Sequence, residues 1–395
     1  APSNGPLAGL RVLELGQLIA GPFAARMMAD FGADVIKVEP PARHGQPGGD
    51  PLRKWRKLHP DDPSGTSLWW SVQARNKRSV TVDMKAPAGQ RIVRELAARA
   101  DIVIENFRPG ALEKWGLGYE ALAADNPGLI LVRLSGYGQS GPYRDRPGFG
   151  AIAESMGGMR YVTGFPDRPP VRMNLSIGDS LAALHAVIGA LMALHHRAAT
   201  GLGQVVDVAL YEAVFNMMES TLPEFDRYGI VRERTGTNLT GIVPSNTYPT
   251  ADGRHIVIGG NGDSIFKRLM RAIEEKIEIQ REHARMLLGE LAPHGFSLPA
   301  ENDGCHANWQ QFALRFHDTA RRDQMAQHLF SKGIDTSKYL DNIAEEARAH
   351  YGYTGDCPNA EALAKTVLLV PIHYSLRTRD IETMARAINE AAANI

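Results

Sequence analysis

Residues 10–38 read LRVLELGQLIAGPFAARMMADFGADVIKV, which predicts a strand, a turn, a helix and a second strand. The strands are expected over residues 10–15 and 33–38, and the helix over residues 23–31. Both strands carry few polar residues, which is typical of strands whose two faces are covered by helices. This unit therefore predicts the start of a parallel sheet.

The same alternation continues through the first half of the chain. Further strands are predicted at residues 79–82, 101–105, 129–134 and 203–209, and further helices at residues 88–100, 179–196 and 211–220. The fold class is therefore α/β, an open, Rossmann-like parallel sheet with helices on both faces. Such sheets bind ligands at the carboxyl ends of their strands.

The second half of the chain has a different pattern. Prolines and glycines predict an extended linker over residues 221–247, and Asp252-Gly253 predicts the turn of a hairpin within residues 248–260. Composition shifts near residue 275, and from there helices and short strands alternate in an α+β pattern, at residues 275–291, 312–316, 321–332, 359–366, 367–372 and 380–392. We therefore predict a large domain over 1–220, the linker, the start of a small domain over 248–275, and a separate unit over 276–395.

Composition excludes several classes of function. The 395 residues contain 44 basic and 44 acidic side chains, a balance that argues against a general binder of nucleic acid or of anionic membranes. The two cysteines, Cys305 and Cys357, cannot form a disulfide framework or a four-cysteine metal site. No apolar run of membrane-spanning length and no secretory leader are predicted, so the expected location is the cytoplasm.

Asp179 is the most informative acid in the sequence. It follows Gly178 at the start of the apolar helix predicted over residues 179–196. The simpler interpretation is a helix N-cap, for which Asp is among the best residues. The functional interpretation is a carboxylate kept ionised by the helix N-terminus and able to attack an activated carbonyl.

Basic and glycine-rich segments provide further candidates. Basic residues at or after predicted strands suggest an anionic, phosphorylated ligand, although each alone could be a solvated surface charge; they are Lys37, Arg75, Lys77, Arg78, Arg108 and Lys114. The run Gly259-Gly260-Asn261-Gly262 is either a strained turn or a loop whose backbone N–H groups cover a reacting site. No dinucleotide or Walker motif is present.

Several ordered motifs together resemble the class III CoA-transferases, the CaiB/BaiF or formyl-CoA transferase family. They span roughly residues 7–275 and are LRVLEL from Leu10, AGP from Ala20, GADVIKVE from Gly32, RNKRS from Arg75, ENFRPG from Glu105, GLGY from Gly116, SGYGQSGP from Ser135 and IGD from Ile177. The resemblance implies an interlocked homodimer and acyl-CoA chemistry at Asp179, with no tightly bound cofactor, because coenzyme A and acyl-CoA are substrates.

The resemblance also assigns roles to other positions. It implies contacts to CoA at Lys37, Arg75, Lys77, Asn106, Phe107 and Lys114. It places Tyr137 beside the catalytic aspartate and a mobile glycine loop at Gly259 and Gly260. The implied reaction passes through an aspartyl anhydride and an aspartyl-CoA thioester and needs neither ATP nor a metal. The family's usual glutamine before Ala-Gly-Pro is Ile19 here.

After Glu275 the resemblance changes. The tail is similar to the C-terminal small domain of DegT/DnrJ-type sugar aminotransferases, in stretches such as REHAR from Arg281, NWQQF from Asn308 and LVPIH from Leu369. The large aminotransferase domain that would hold pyridoxal phosphate is not matched, so we expect no such cofactor.

The acyl group and two competing functions remain open in the sequence. Residues 49–56 and 67–70 resemble relatives that act on small dicarboxylates, and Arg53 or Arg56 could pair with a distal carboxylate. A CoA-transferase using succinyl-CoA is the leading prediction. An acyl-CoA racemase would need a His-Asp pair where this chain has Gly148-Phe149-Gly150. A non-catalytic CoA-binding module is the third possibility.

Overall fold

The computed structural model describes residues 5–394, except residues 44, 46, 293 and 339–342. The chain divides into two compact units, Ala1–Thr240 and Gly241–Ile395. The first unit contains the predicted parallel sheet, and the second contains a hairpin and the α+β tail. The predicted domain boundaries themselves stay predictions.

Six parallel strands form the sheet of the first unit, in the order β3-β2-β1-β4-β5-β6. Their bounds are Arg11–Glu14 (β1), Asp34–Glu39 (β2), Lys77–Thr81 (β3), Ile102–Glu105 (β4), Ile130–Ser135 (β5) and Val205–Ala209 (β6). The chain builds the sheet outward from β1 in one direction and then from β4 in the other. The gap between the ends of β1 and β4 is therefore the topological switch point, where open α/β sheets bind ligands.

Ten helices accompany this sheet in the described part of the first unit. They are Ala20–Asp30 (α1), Leu68–Gln73 (α2), Pro87–Ala97 (α3), Ala111–Lys114 (α4), Tyr119–Asp125 (α5), Gly150–Met156 (α6), Met159–Val162 (α7), Ile177–Thr200 (α8), Leu210–Phe215 (α9) and Thr221–Tyr228 (α10). A 3₁₀ turn occupies Pro51–Lys54.

The two faces of the sheet are buried in separate cores. Val12 of β1 lies in the same cluster as residues of α1 and α8, whereas its neighbour Leu13 lies in the cluster that contains Val93 of α3 and Leu122 of α5. Successive strand residues point to opposite faces, so helices on both faces are needed to bury them. The prediction of an open parallel sheet covered on both sides is confirmed.

Two expectations about this unit need correction, namely the extended linker over residues 221–247 and the absence of an apolar run of membrane-spanning length. The predicted extended linker begins with a helix, α10, whose residues Thr221–Tyr228 end at Gly229 with a left-handed backbone (φ 66°). Helix α8 is 24 residues long with a mean hydropathy of 1.7, which is long and apolar enough by composition to cross a membrane. This is weak support for a span, because core helices pass the same test, and α8 buries its alanine-rich face in the core.

The second unit begins with the predicted hairpin. Strands Ser245–Pro249 (β7) and His255–Gly259 (β8) pair antiparallel around a turn in which Gly253 has φ 78°. The tail's helices are Asp263–Glu290 (α11), Thr319–Ser331 (α12), Ile343–Tyr351 (α13), Pro358–Thr366 (α14) and Thr378–Ala392 (α15). A three-stranded antiparallel sheet joins them, with the order β11-β10-β9, from Phe296–Ser297 (β9), Phe312–Phe316 (β10) and Val367–Val370 (β11).

The tail has a core of its own. Phe312 and Leu314 of β10, Leu329 of α12 and Ile388 of α15 are completely buried in one cluster. Helix α11 begins at Asp263 rather than near residue 275, and it runs without a break through the position where the composition shifts. The α+β character of the tail is thus confirmed, while the start of its first helix was placed too late.

Candidate functional site

A cavity of about 490 Å³ opens at the carboxyl ends of the strands of the first unit. Its lining comes from residues at or after the ends of β1, β4, β5 and β6, from the starts of α6 and α8, from α2, and from the segments after the 3₁₀ turn and before α8. The residues are Leu18, Ile19, Ala20, Trp55, Arg56, Trp69, Asn106, Leu134, Ser135, Gly136, Gly148, Phe149, Gly150, Ala151, Arg172, Ser176, Asp179 and Leu210. The cavity therefore occupies the edge that the parallel sheet predicted for a ligand. Ile19, the departure from the family glutamine, lines it.

Asp179 lies in this cavity near the start of α8. The helix N-cap is Ser176, so Asp179 is the third residue of the helix and the simpler N-cap interpretation was wrong. A Cβ atom on Gly150 would overlap Asp179 Oδ2, and a Cβ on Gly178 would lie 2.8 Å from Gly150 O. The two glycines thus allow the start of α6 to approach the half-buried carboxylate.

The surroundings of Asp179 make its carboxylate unusually basic. Burial, and after it the nearby Glu154 carboxylate, raise the pKa of Asp179 to about 6, against the opposing effect of the charge of Arg172. Burial therefore outweighs the helix N-terminus, which by itself would favour the ionised form. A carboxylate of raised pKa is a better nucleophile that is still mostly ionised near neutral pH.

Glu154 is a buried acid behind Asp179. Its side chain is 3% exposed, Oε2 accepts a hydrogen bond from Arg160 Nη2 at 2.8 Å, and Oε1 has no partner among the described residues. Its position on α6 follows from the close approach that Gly150 and Gly178 allow, because the Cβ built on Gly178 lies 3.4 Å from Glu154 Cγ.

Two guanidinium groups also line the cavity. Arg56 stacks on Trp69 with 4.8 Å from its Cζ to the ring centroid, and its backbone is left-handed with φ 59°. Arg172 is exposed in the segment before α8. Within the residues that the structure describes, neither guanidinium forms an ion pair with a carboxylate of this chain within 4.0 Å. The cavity therefore offers two unpaired positive charges to an anionic ligand.

The loop after β1 is fixed from two sides. Asn106, which follows β4, accepts a hydrogen bond from Gln17 N at 2.7 Å and donates one to Gln17 O at 2.8 Å. Leu18, whose backbone is left-handed with φ 64°, donates its N–H to both carboxylate oxygens of Asp50 at 3.1 Å. These contacts hold the cavity-lining residues at the switch point in one conformation. Asn106 is thus the predicted CoA contact that the structure places in the cavity wall.

Lys37 and Lys77 lie in a buried ion network. Lys37 Nζ contacts Glu14 Oε1 at 2.8 Å, Asp50 Oδ2 at 2.9 Å and the Gly16 carbonyl at 2.7 Å, and the side chain is 1% exposed. Lys77 Nζ contacts Glu14 Oε2 at 2.6 Å and the Pro22 carbonyl at 2.8 Å. Burial alone would lower the pKa of Lys37, but Glu14 and Asp50 outweigh it and raise that pKa.

The ammonium groups of both lysines thus have acceptors within the chain itself, and their roles in CoA binding stay predictions. A lysine has three N–H donors, and those of Lys37 are matched by three acceptors of the chain itself. The sequence could not show this pairing, because Glu14 and Asp50 come from segments distant from Lys37 and Lys77 in the chain.

Arg53, three residues before Arg56, is also paired with a buried carboxylate. Its Nε and Nη2 donate to the two oxygens of the buried Glu39 carboxylate at 2.7 and 2.8 Å, and its guanidinium lies 4.0 Å from the centroid of the Trp70 ring. Burial would raise the pKa of Glu39, but hydrogen bonds from Arg53, Ser79 and the Asp50 backbone outweigh it and lower that pKa to about 2. Of the two predicted substrate arginines, the structure therefore places only Arg56 in the cavity.

The remaining predicted CoA contacts lie outside the cavity lining. Arg75 is exposed and pairs with Asp30 of α1 at 2.5 Å. Phe107 is half-buried and meets Trp115 edge-on, with ring centroids 5.3 Å apart, and Lys114 is exposed. Their roles in CoA binding stay predictions.

Tyr137 and the glycine run are also outside the described lining. The Tyr137 ring packs between Tyr143 and Tyr211, with centroids 5.6 and 5.7 Å away, and lies against Gly148. Gly259 and Gly260 belong to the second unit, where Gly260 N donates to Pro244 O at 2.5 Å. That N–H is already used within the hairpin, and a role of the glycine run in catalysis stays a prediction.

Sequence reasoning missed Arg172, Glu154 and Asp50. Asp50 and Glu154 are surrounded by ordinary loop or helix sequence, and only their burial reveals them. Arg172 lies seven residues before Asp179, and its proximity in sequence was the one signal that could have identified it. Among the residues that the structure describes, no group of three His, Cys, Asp or Glu side chains could hold a metal ion.

The sequence of this chain is similar to those of known CoA-transferases. The chain is 57% identical over 268 residues to the succinyl-CoA--D-citramalate CoA-transferase of Chloroflexus aurantiacus, covering 68% of this chain and 65% of that protein. It is 44% identical over 270 residues to the beta subunit of the succinyl-CoA--L-malate CoA-transferase of the same organism, with the same coverages. The chain thus spans less than two thirds of the length of these relatives.

A solved structure gives the same result for the fold. The crystal structure of a CAIB/BAIF family protein from Brucella suis matches with a TM-score of 0.62 and 37% identity, over 69% of this chain and 70% of that one. The tail matches the DegT/DnrJ/EryC1/StrS aminotransferase family over residues 264–389. The other family match covers residues 7–286, so the two overlap only within helix α11. Because that longer match covers well over half of the sequence, the chain belongs to CoA-transferase family III.

Proposed function

We propose that this chain transfers CoA from succinyl-CoA to a small dicarboxylic acid, with Asp179 as the nucleophile. The observation that carries the proposal is the raised-pKa carboxylate of Asp179 in a cavity with two unpaired arginines, at the ligand-binding edge of the sheet. The two curated relatives described above are named for succinyl-CoA and for hydroxy-dicarboxylic acids, D-citramalate and L-malate. Two positive charges suit substrates of this class, because each brings at least one free carboxylate.

The proposed steps keep one activated acyl group throughout. An oxygen of the Asp179 carboxylate attacks the thioester carbonyl, the C–S bond breaks, and CoA thiolate leaves a mixed anhydride. The thiolate attacks the aspartyl carbonyl, which releases succinate and gives an aspartyl-CoA thioester. The acceptor carboxylate displaces CoA to form a second anhydride, and the returning thiolate takes the acceptor acyl group and restores Asp179.

The racemase alternative has no support in the geometry. An acid and a base would be needed on either side of the substrate α-carbon, but the two positions after Gly148 are Phe149 and Gly150, which can supply neither. A side chain at position 150 would overlap the Asp179 carboxylate, so the site has no room for an acid there.

The transfer assay tests the proposal. The full chain is incubated with succinyl-CoA and, in turn, D-citramalate, L-malate, mesaconate and oxalate, and new acyl-CoA is measured by mass spectrometry. We expect transfer to at least one dicarboxylate and none with Asp179→Asn, which keeps the shape of the side chain. CoA binding without transfer to any acceptor would instead favour a non-catalytic CoA-binding module.

We also propose that a second copy of the chain covers part of the first unit, as the family resemblance implies. Helix α8 leaves apolar side chains exposed on its outer face, including Ile188 (50% exposed) and Met192 (67%). Light scattering of the full chain should give the mass of a dimer, and Met192→Glu should shift it toward the monomer. A monomer at assay concentration would contradict this proposal.

A further inference from the structure

Arg172 and Arg56 both line the cavity that contains Asp179, but their guanidinium groups have different surroundings. The charge of Arg172 also acts on the Asp179 carboxylate. Arg56 is stacked on Trp69 and held by a left-handed backbone. Arg172 is exposed and has no hydrogen bond, ion pair or ring contact among the described residues, so it is the cavity cation whose guanidinium is not already engaged.

The chemistry of a dicarboxylate gives this difference a consequence. In a succinyl thioester, two methylene groups separate the reacting carbonyl from the free carboxylate. When the carbonyl lies against Asp179, the distal carboxylate must lie a short distance away in the same cavity. A guanidinium there can form a bidentate pair with it, and the segment that carries Arg172 provides no carboxylate partner of its own within the described structure.

We propose that Arg172 is the specificity-determining residue that binds the distal carboxylate of the acyl group and so selects dicarboxylic over monocarboxylic substrates. This inference rests on the proposed use of a dicarboxylic acyl-CoA in the same cavity, and it assigns a residue and a selection step to that function. Arg172 acts on the substrate and not as a nucleophile, acid or base.

The test measures binding and needs no turnover. Succinyl-CoA and butyryl-CoA have acyl chains of equal length, and only the first carries a distal carboxylate. Their dissociation constants are measured by calorimetry with the full chain carrying Asp179→Asn, with and without Arg172→Gln. We expect Arg172→Gln to weaken succinyl-CoA binding by about 10- to 100-fold, the range for a charged hydrogen-bonded pair, and to leave butyryl-CoA within about twofold.

Two matched variants complete the test. Arg168→Gln removes an exposed arginine of the same segment that lies near the Phe165 ring and does not line the described cavity, and it should change neither constant. Arg56→Gln removes the other cavity cation. If Arg172→Gln weakened the binding of succinyl-CoA and butyryl-CoA equally, Arg172 would contact the CoA moiety. If only Arg56→Gln removed the preference for succinyl-CoA over butyryl-CoA, the role would belong to Arg56. Either result, or unchanged dissociation constants in Arg172→Gln, overturns the proposal. Because the Asp179→Asn background is used throughout, failure of transfer by the unmodified chain would count against the proposed reaction and not against this binding step.

Discussion

The first unit contains two charged regions that look alike in sequence and differ in structure. Under β1–β3, the cations Lys37, Lys77 and Arg53 are paired with the buried carboxylates Glu14 and Glu39. In the cavity at the carboxyl ends of the strands, Arg56 and Arg172 have no carboxylate partner among the described residues. The first region holds the strand ends in place, and the second is open to an anion.

The comparison shows what a basic residue at a strand end can mean. A buried lysine needs acceptors for its ammonium group, and a chain that supplies them internally has made the lysine structural. A guanidinium that lines a cavity without an internal carboxylate is available to a ligand.

The largest effect is expected at the nucleophile. Asp179→Ala should reduce kcat/KM for transfer from succinyl-CoA by about a thousandfold or more, because the covalent path is lost. CoA binding, measured by calorimetry, should be nearly unchanged. If the variant kept a tenth of the activity, Asp179 would not be the nucleophile.

The next effect concerns stability in the buried region. Lys37→Met leaves Glu14 and Asp50 without the cation between them, so the free energy of unfolding from urea titration should fall by about 3–5 kcal/mol. The matched control is Arg78→Met, because the Arg78–Asp34 pair is largely exposed; it should change stability by less than about 1 kcal/mol. Unchanged stability of Lys37→Met together with a raised KM for succinyl-CoA would instead restore Lys37 as a CoA contact.

Arg53 and Arg56 form a direct internal comparison, three residues apart. Arg53→Gln removes the partner of the buried Glu39 carboxylate and should lower the free energy of unfolding by about 2–3 kcal/mol. Arg56→Gln should leave stability within about 0.5 kcal/mol and raise KM for the acceptor acid, because it removes a cavity charge. The reverse assignment of the two effects would contradict the division into a paired and an open region.

The smallest effect is a shift of the pH profile. Only the ionised Asp179 is a nucleophile, so kcat/KM should fall tenfold per pH unit below its pKa of about 6 and level off above it. Glu154→Gln removes a neighbouring negative charge and should move this limb to lower pH, and Arg172→Gln should move it to higher pH. Profiles of the two variants that coincide with that of the unmodified chain would mean that neither charge acts on the nucleophile.

The sequence predicted the sheet well because its signals are local. Each strand was placed within about two residues, since short apolar runs alternate with amphipathic helices. The same holds for β10, whose bounds Phe312–Phe316 agree with the prediction, and for the last helix. Short helices such as α10 and α13 were not predicted, and the start of α11 was placed too late because the composition changes within one continuous helix.

The site was predicted only in part, because ion pairs between residues distant in sequence decide which of its charges are already paired and which can meet a ligand. Asp179 and Arg56 were candidates from the sequence, and both line the cavity, whereas the sequence could not show that Lys37 and Lys77 share the Glu14 carboxylate. That contact joins β1, β2 and β3, and it exists only after the sheet has formed. Arg172 lacks a sequence motif, and its importance follows from the cavity alone.

Trapping of the acyl-enzyme tests the central claim most directly. The full chain is incubated with succinyl-CoA and hydroxylamine, digested, and examined by mass spectrometry for a hydroxamate on the peptide that contains Asp179. We expect one modified site, at Asp179, formed only when succinyl-CoA is present and absent in Asp179→Asn. A chain that binds succinyl-CoA but yields no hydroxamate, or yields it at another carboxylate, would contradict the assignment of Asp179 as the nucleophile.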